Sequence, residues 1–187
     1  MKNSGTVRME TKRLVLRPFV IEDAGAMFRN WANDPQVTKF LSWEPHKDVE
    51  ETKKILEGWI ASYESKDFYT WAIAWREDEG NVIGSIAVPQ LNQKAGRVTV
   101  GYCLGRKWWG NGIMKEAFAE LIRFFFEVEG ANRVEALHDT HNVNSGKVMA
   151  ACGLKKEGTL RRYGWNNQGI CDECIYGMVA SDYFEGK

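Results

Sequence analysis

The chain has 187 residues, 44% of them hydrophobic and 12% aromatic, enough to bury a substantial core within the usual size of one compact domain. Its 25 Lys plus Arg balance 25 Asp plus Glu, so no overall field attracts a polyanion, and general nucleic-acid binding loses its simplest support. No stretch is long and apolar enough to span a bilayer, and the opening MKNSGTVRMETKRL has no apolar region of the secretory kind, so no membrane partner is expected and the expected location is cytoplasmic.

Residues 1–8 are expected as a flexible lead-in to a single domain over residues 9–187. Alternation in Arg13-Leu14-Val15-Leu16-Arg17 predicts a short strand closed by Pro18. Ala24, Met27, Phe28 and Trp31 follow the spacing of a helix with one buried face, from Glu22 to about Asn33, with Asp23 suited to the dipole of its first turn. A second helix after Pro45 carries Val49, Thr52, Leu56, Trp59 and Ile60. Tyr69 to Trp75 reads as a strand with all its large residues on one face, and Val82 to Val88 as the returning strand after a turn at Asp78-Glu79-Gly80-Asn81.

Arg97 to Leu104 is a further strand, leading into the turn Lys107-Trp108-Trp109-Gly110-Asn111-Gly112. Beyond it, Met114, Ala117, Phe118, Leu121, Ile122 and Phe125 form an apolar helical stripe that Gly130 ends. Arg133 to Leu137 predicts a strand, Ser145 to Cys152 a short helix with Gly153 just past its end, and Thr159–Trp165 with Ile170–Val179 a closing hairpin. Asn142, Asn144 and Ser145 crowd the start of that helix, where their side chains suit capping. Of the four cysteines at 103, 152, 171 and 174, the last two form a lone CxxC in a strand, which reads as structural, and no metal site is expected.

Strand, glycine-containing turn and helix in that order place Gly110 and Gly112 where backbone N–H groups converge on an anion, aided by the helix dipole. The spacing is not that of a P-loop, and GxGxxG is incomplete because Lys115 stands three residues after Gly112. Gly101-Tyr102-Cys103-Leu104, Trp108-Trp109-Gly110-Asn111-Gly112 and Glu116-Ala117 together resemble the acetyl-coenzyme-A-binding segment of the GNAT superfamily of N-acetyltransferases, in particular its RimJ/RimL-like branch of ribosomal-protein N-terminal acetyltransferases. Thr11 to Pro18 with Glu22-Asp23-Ala24, Asn142-Val143-Asn144-Ser145 with Gly153-Leu154, and Asp172 to Met178 resemble other segments of that branch, in the right order.

The resemblance implies an α+β fold, a mixed, mostly antiparallel twisted sheet flanked by helices in three layers, and direct acetyl transfer from acetyl-coenzyme A (acetyl-CoA) to an amine. It implies that N–H groups from Trp109 through Gly110, Asn111, Gly112, Ile113 and Met114 to Lys115 hold the pyrophosphate, with Met114 a crowding departure where a small residue is usual. The strand ending at Leu104 is expected to splay from the Arg133 strand, offering oxyanion donors near Cys103 or Leu104. Asn142 maps onto a coenzyme-contacting asparagine, and Ser145 onto the serine facing the departing thiolate, against its other reading as a cap. The twin tryptophans are expected to pack the turn.

A general base is harder to find, since Thr99 and Gly164 stand where relatives carry glutamates. Glu44, Asp172 and Glu173 remain candidates, each reading first as a surface charge, and Trp43, Trp59 and Tyr69 are candidates for an acceptor cleft or for core. The acceptor implied is the α-amino group of a protein or peptide; a small amine such as a polyamine, amino acid or aminoglycoside, and a non-catalytic acyl-CoA-binding module, are the alternatives. A monomer or a homodimer is compatible with all three.

Overall fold

A computed structural model describes residues 1–186. The chain runs through β1 (Met9–Glu10), β2 (Leu14–Arg17), α1 (Ala24–Met27), α2 (Pro35–Thr38), α3 (Val49–Ser62), β3 (Thr70–Trp75), β4 (Gly84–Asn92), β5 (Arg97–Leu104) and α4 (Ile113–Arg123). It continues through β6 (Arg133–Asp139), α5 (Val143–Ala151), β7 (Lys155–Asn166), β8 (Gly169–Val179) and α6 (Ala180–Glu185). Among these residues the strands form one eight-stranded sheet, ordered β1-β2-β3-β4-β5-β6-β8-β7. All neighbours are antiparallel except β5 and β6, so the sheet is mixed and mostly antiparallel, as expected.

Alternation along the strands sorts the core into two layers. Leu14, Leu16, Tyr69, Trp71 and Ile73 face the helix α4, whose Met114, Ala117, Phe118, Leu121 and Ile122 are all buried with Phe125 beyond them. Val15, Ala72 and Ala74 face the other way, against Ala24, Met27 and Trp31 of the first helical segment and Leu56 of α3. The small side chains on that face let the helices settle close to the sheet, whereas the bulky face fills the wider gap under α4.

Three features depart from or add to the expectations. Residues 1–8 have fixed partners: the buried carboxylate of Glu129 accepts the N–H groups of Asn3 and Ser4 at 2.7 and 2.8 Å, and Trp71 Nε1 donates to the carbonyl of Val7. Asp23 lies in the first turn as expected and accepts the N–H of Val20 at 2.9 Å, but it is also buried and takes two hydrogen bonds of 2.8 Å from the Arg17 guanidinium. The first helix is also discontinuous, a 3-10 turn at Ile21–Asp23 leading into α1 and then a π turn at Phe28–Ala32.

A second π turn follows α4 at Phe124–Glu129 and lets three consecutive phenylalanines, 124, 125 and 126, all be buried. Phe126 stacks on Tyr183 of α6, an element the sequence pattern does not signal. Gly130 and Gly153 close their helices in the left-handed conformation, with φ of 70° and 89°. Cys171 and Cys174, three apart on β8, point to opposite faces and are free thiols.

Candidate active site

Strands β5 and β6 pair only from Arg97 with Arg133 to Val100 with Ala136; beyond that point they part. The opening leaves one edge of Gly101–Leu104 without a partner strand. Gly105 N–H donates to Ile83 O, toward β4, at 2.9 Å. By the two-residue alternation of a strand, the N–H of Cys103 also turns to β4, while those of Tyr102 and Leu104 turn into the opening. Of the two N–H groups expected near the acetyl carbonyl, that of Leu104 turns into the opening and that of Cys103 does not, while the N–H of Tyr102 does.

The turn after β5 meets the start of α4 at the same end of the sheet. Gly110 and Gly112 have φ of 78° and 70°, a conformation in which a β-carbon is strained, and Gly112 occupies the N-cap position of α4. Among the described residues no acceptor meets the N–H groups of Gly110, Asn111, Gly112, Ile113, Met114 or Lys115. Trp109 N–H is not among them, because it is spent on the carbonyl of Arg106 at 3.2 Å.

Side chains shape this row of donors. Ile113 and Met114 are buried in the core, so the Met114 side chain points away from the loop mouth. Asn111 folds back to donate to the carbonyls of Trp108 and Trp109. Trp108 packs against the core beside Gly105, where a β-carbon would lie 2.6 Å from its ring. Trp109 is 45% exposed and does more than pack, its indole N–H donating to the Leu104 carbonyl at 2.7 Å across the end of the opening.

Behind the loop, Glu116 accepts from the Thr11 hydroxyl (2.6 Å), Arg13 N–H (2.9 Å) and Arg13 Nε (2.7 Å), while Arg13 Nη1 donates to the Asn111 carbonyl. Burial pushes the Glu116 carboxyl up, but these bonds outweigh it and hold the group below its ordinary value. The brace brings the Arg13 guanidinium to the mouth of the loop, where a β-carbon on Gly112 would lie 3.8 Å from it.

On the face of the sheet that carries α4 and α5, Tyr102 reaches α5. Its phenol lies 3.0 Å from the Ser145 hydroxyl and 3.0 Å from the Ser145 carbonyl. Helix α5 starts at Val143, two residues before the sequence pattern suggests, so Ser145 sits inside its first turn and Asn142 takes the N-cap position. Neither caps the helix: Asn142 makes no side-chain cap hydrogen bond, and Ser145 bonds to Tyr102 instead. His138 lies in β6, donating from Nδ1 to the Asp139 carbonyl, with its ring so close to Gly146 that a β-carbon there would meet Nε2 at 2.5 Å.

The opposite face carries carboxylates and a thiol. Thr99 donates to Glu135, whose carboxylate is also held by Arg133 at 2.7 Å and Arg97 at 3.6 Å, so this buried acid is fully engaged. Cys103 lies 3.2 Å from the Ser85 hydroxyl, and burial pushes its thiol up to about 11. Asp139, 5% exposed, accepts from His141 N–H, His141 Nδ1 and Asn166 Nδ2. Burial alone raises its carboxyl, but those donors bring it below the ordinary value.

The hairpin turn between β7 and β8 reaches over this end of the molecule. Asn167 N–H donates to the Leu41 carbonyl, and its side-chain amide donates to the carbonyls of Thr38 and Trp43. Of the three candidate cleft aromatics, Trp43 alone lies at this junction; Tyr69 is core, stacked on Trp71, and Trp59 packs on Phe19. The basic run Lys155–Arg162 lies on β7 at the sheet edge with its Lys and Arg side chains exposed.

The acetyltransferase (GNAT) domain family matches residues 13–155. The chain belongs to the GNAT family. This GNAT protein is 32% identical over 171 residues to the uncharacterized N-acetyltransferase YoaA of Bacillus subtilis, covering 91% of this chain and 96% of the relative. It is 28% identical over 192 residues to the [ribosomal protein uS5]-alanine N-acetyltransferase of Escherichia coli, covering 99% and 97% of the two chains. Among solved structures it shares its fold with the microcin C7 self-immunity acetyltransferase MccE, determined with acetyl-CoA and AMP, at a TM-score of 0.81, 18% identity and coverage of 90% and 93%. The GNAT chain is thus an N-acetyltransferase of the RimJ/RimL-like branch, and the acetyl donor of its family is acetyl-CoA.

Two members of this GNAT site escape sequence reasoning. Arg13 braces a loop about a hundred residues away, and nothing local to Thr11-Lys12-Arg13 signals it. Tyr102 stands inside a quoted motif, yet its partner Ser145 is 43 positions further on. No helix of the described residues is long and apolar enough to cross a membrane, and among them no group of three or more His, Cys, Asp or Glu could hold a metal ion.

Proposed function

We propose that the protein is a cytoplasmic enzyme that transfers the acetyl group of acetyl-CoA directly to the α-amino group of a protein or peptide. The observation that carries the acceptor is the 28% identity to the uS5-alanine N-acetyltransferase across 99% of the chain, where a match limited to the cofactor half would say nothing of it. Coenzyme A fits the site because the N–H groups of Gly110 to Lys115 are unpaired and open at a helix N-terminus, with Arg13 beside them.

In this reading those six N–H groups and Arg13 hold the pyrophosphate, and Asn142, whose side chain caps nothing, meets the coenzyme from α5. Tyr102 N–H and Leu104 N–H stabilise negative charge on the acetyl oxygen. Ser145, held by Tyr102, presents its hydroxyl to the departing sulfur. Cys103 takes no part as a nucleophile, because at neutral pH its thiol keeps its proton.

The test is turnover of acetyl-CoA with three sets of amines: peptides with a free α-amino group, the same peptides N-terminally blocked but carrying lysine, and small amines including spermidine and an aminoglycoside. Acetyl groups found by mass spectrometry on the α-amino nitrogen of the first set support the reading. Turnover confined to the small amines overturns the acceptor, and tight coenzyme binding with no turnover overturns catalysis.

A further inference from the structure

The geometry points to Glu173 as the general base, the group that takes the proton from the acceptor ammonium. The inference rests on the acetyl-transfer reading above and identifies the residue that the sequence pattern leaves unassigned.

Position comes first. Val100 stands level with Ala136 in the parallel pair, so three residues further on Cys103 stands level with Asp139, and Asp139 pairs with Glu173 on β8. Thr99 and Glu135 share a face, as their hydrogen bond shows, and the two-residue period carries that face to Cys103, Asp139 and Glu173. Glu173 therefore lies on the side of the sheet away from Ser145, at the height where β5 and β6 stand apart. A base on one face and a proton donor for sulfur on the other leave the space between them to the reacting atoms.

The carboxylate is also available. Each other acid near the opening is engaged: Glu135 by Thr99, Arg97 and Arg133; Asp139 by His141 and Asn166; Asp172 by the N–H of Arg162. Glu44 is exposed on the surface. Glu173 is half-buried, and among the described residues no hydrogen bond or ion pair reaches its carboxylate. On β7, Gly164 pairs with Cys171, one residue pair along the same face, and a β-carbon there would overlap the carboxylate of Glu173. The absence of a side chain at 164 is what makes room for this acid.

Electrostatics agree with the placement. The groups around Glu173 are Asp139, its partner on β6, and Cys171 on its own strand, while β7 contributes Leu160 opposite it and the glycine at 164. Burial, and then the negative charge of Asp139, raise Glu173 above the ordinary carboxylate value, the direction that favours a proton acceptor. Asp139 is driven the opposite way, and two acids pushed apart in this manner divide into one fixed charge and one proton carrier.

The step balances as follows. The acceptor arrives as R–NH3⁺ and gives one proton to the Glu173 carboxylate. The freed nitrogen forms its bond to the acetyl carbon while the carbon–sulfur bond breaks; the departing thiolate takes the Ser145 hydroxyl proton, and the serine is reprotonated by solvent, which takes up the second nitrogen proton. Glu173 then returns its proton to solvent.

The experiment is the pH profile of kcat/KM for the amine, in wild type, Glu173→Gln and Gly164→Ala, with coenzyme affinity measured by calorimetry. Wild type should show an acidic limb above the ordinary carboxylate range, rising with pH as Glu173 ionises. Glu173→Gln should lose that limb and about 10²-fold or more in kcat/KM while binding coenzyme A normally. Gly164→Ala, which keeps the acid but displaces it, should also lose rate, and the double variant should be no worse than Glu173→Gln. A Glu173→Gln protein with wild-type rate and pH profile overturns the inference and leaves the function standing. Activity on small amines alone removes the peptide reading yet still tests Glu173, and a wild type inert to every amine overturns both.

Discussion

The phenol oxygen of Tyr102 stands 3.0 Å from both the hydroxyl and the carbonyl oxygen of Ser145, tying β5 to the first turn of α5 across the mouth of the opened strands. The pair fixes where the serine hydroxyl can point. Ser145→Ala should lower kcat by about 10²-fold with little change in coenzyme affinity. Tyr102→Phe should lower it by about tenfold, the equivalent of one lost hydrogen bond. Because Ser145 does not cap its helix, its replacement should leave thermal stability near wild type; a large drop in melting temperature with full turnover would show the role to be structural.

If the loop holds the pyrophosphate as proposed, the backbone geometry of Gly112 is a binding determinant. At φ 70° a β-branched side chain is strained by roughly 1–2 kcal/mol, and relief of that strain turns the free N–H groups out of line. Gly112→Val should weaken coenzyme A binding by calorimetry, by about tenfold or more, with a smaller effect on the amine KM.

Glu116 gives a signed pH prediction. Its folded-state carboxyl lies below the unfolded value, so its contribution to stability is complete above the unfolded value and disappears as pH falls through the folded one. Glu116→Gln should therefore lower the melting temperature at pH 7, and the difference from wild type should shrink as the solution is acidified below the ordinary carboxylate range.

Arg17 and Asp23 form a buried pair, 14% and 2% exposed at the side chain. Asp23→Ala strands a guanidinium and frees the N–H of Val20, which should cost about 3 kcal/mol in denaturant unfolding. Replacing both partners by apolar residues should recover part of that loss, a coupling that a double-mutant cycle measures.

Cys103→Ala should leave turnover essentially unchanged, and mass spectrometry of wild type quenched during turnover should find no acetyl group on the enzyme. An acetylated Cys103 would refute direct transfer. Its raised thiol value makes the free thiolate scarce at neutral pH.

Periodicity made much of the fold legible. The odd positions Tyr69, Trp71, Ile73 and Trp75 do form one face, and the stripe from Met114 to Phe125 is buried as its spacing requires. The π turns, α6 and the docking of residues 1–8 on Glu129 were illegible because each depends on partners far along the chain. The same division runs through the site. Local signals located the turn at Gly110 and Gly112, but Arg13 with Asn111, Tyr102 with Ser145, and the space that Gly164 leaves for Glu173 exist only once strands and helices are in register. Glu173 read as a surface charge because carboxylates usually face water, and only its neighbours on β6 and β7 show it to be half-buried.

On β5 the side chains of Tyr102 and Cys103 leave on opposite sides of the sheet, and only every second amide opens toward the gap. Counting therefore matters more than chemistry along this stretch. Inserting or deleting a single residue between Val100 and Leu104 would swing the phenol away from α5 and turn the wrong amides into the gap, even if each residue type were kept. Its length should be far harder to change than its composition.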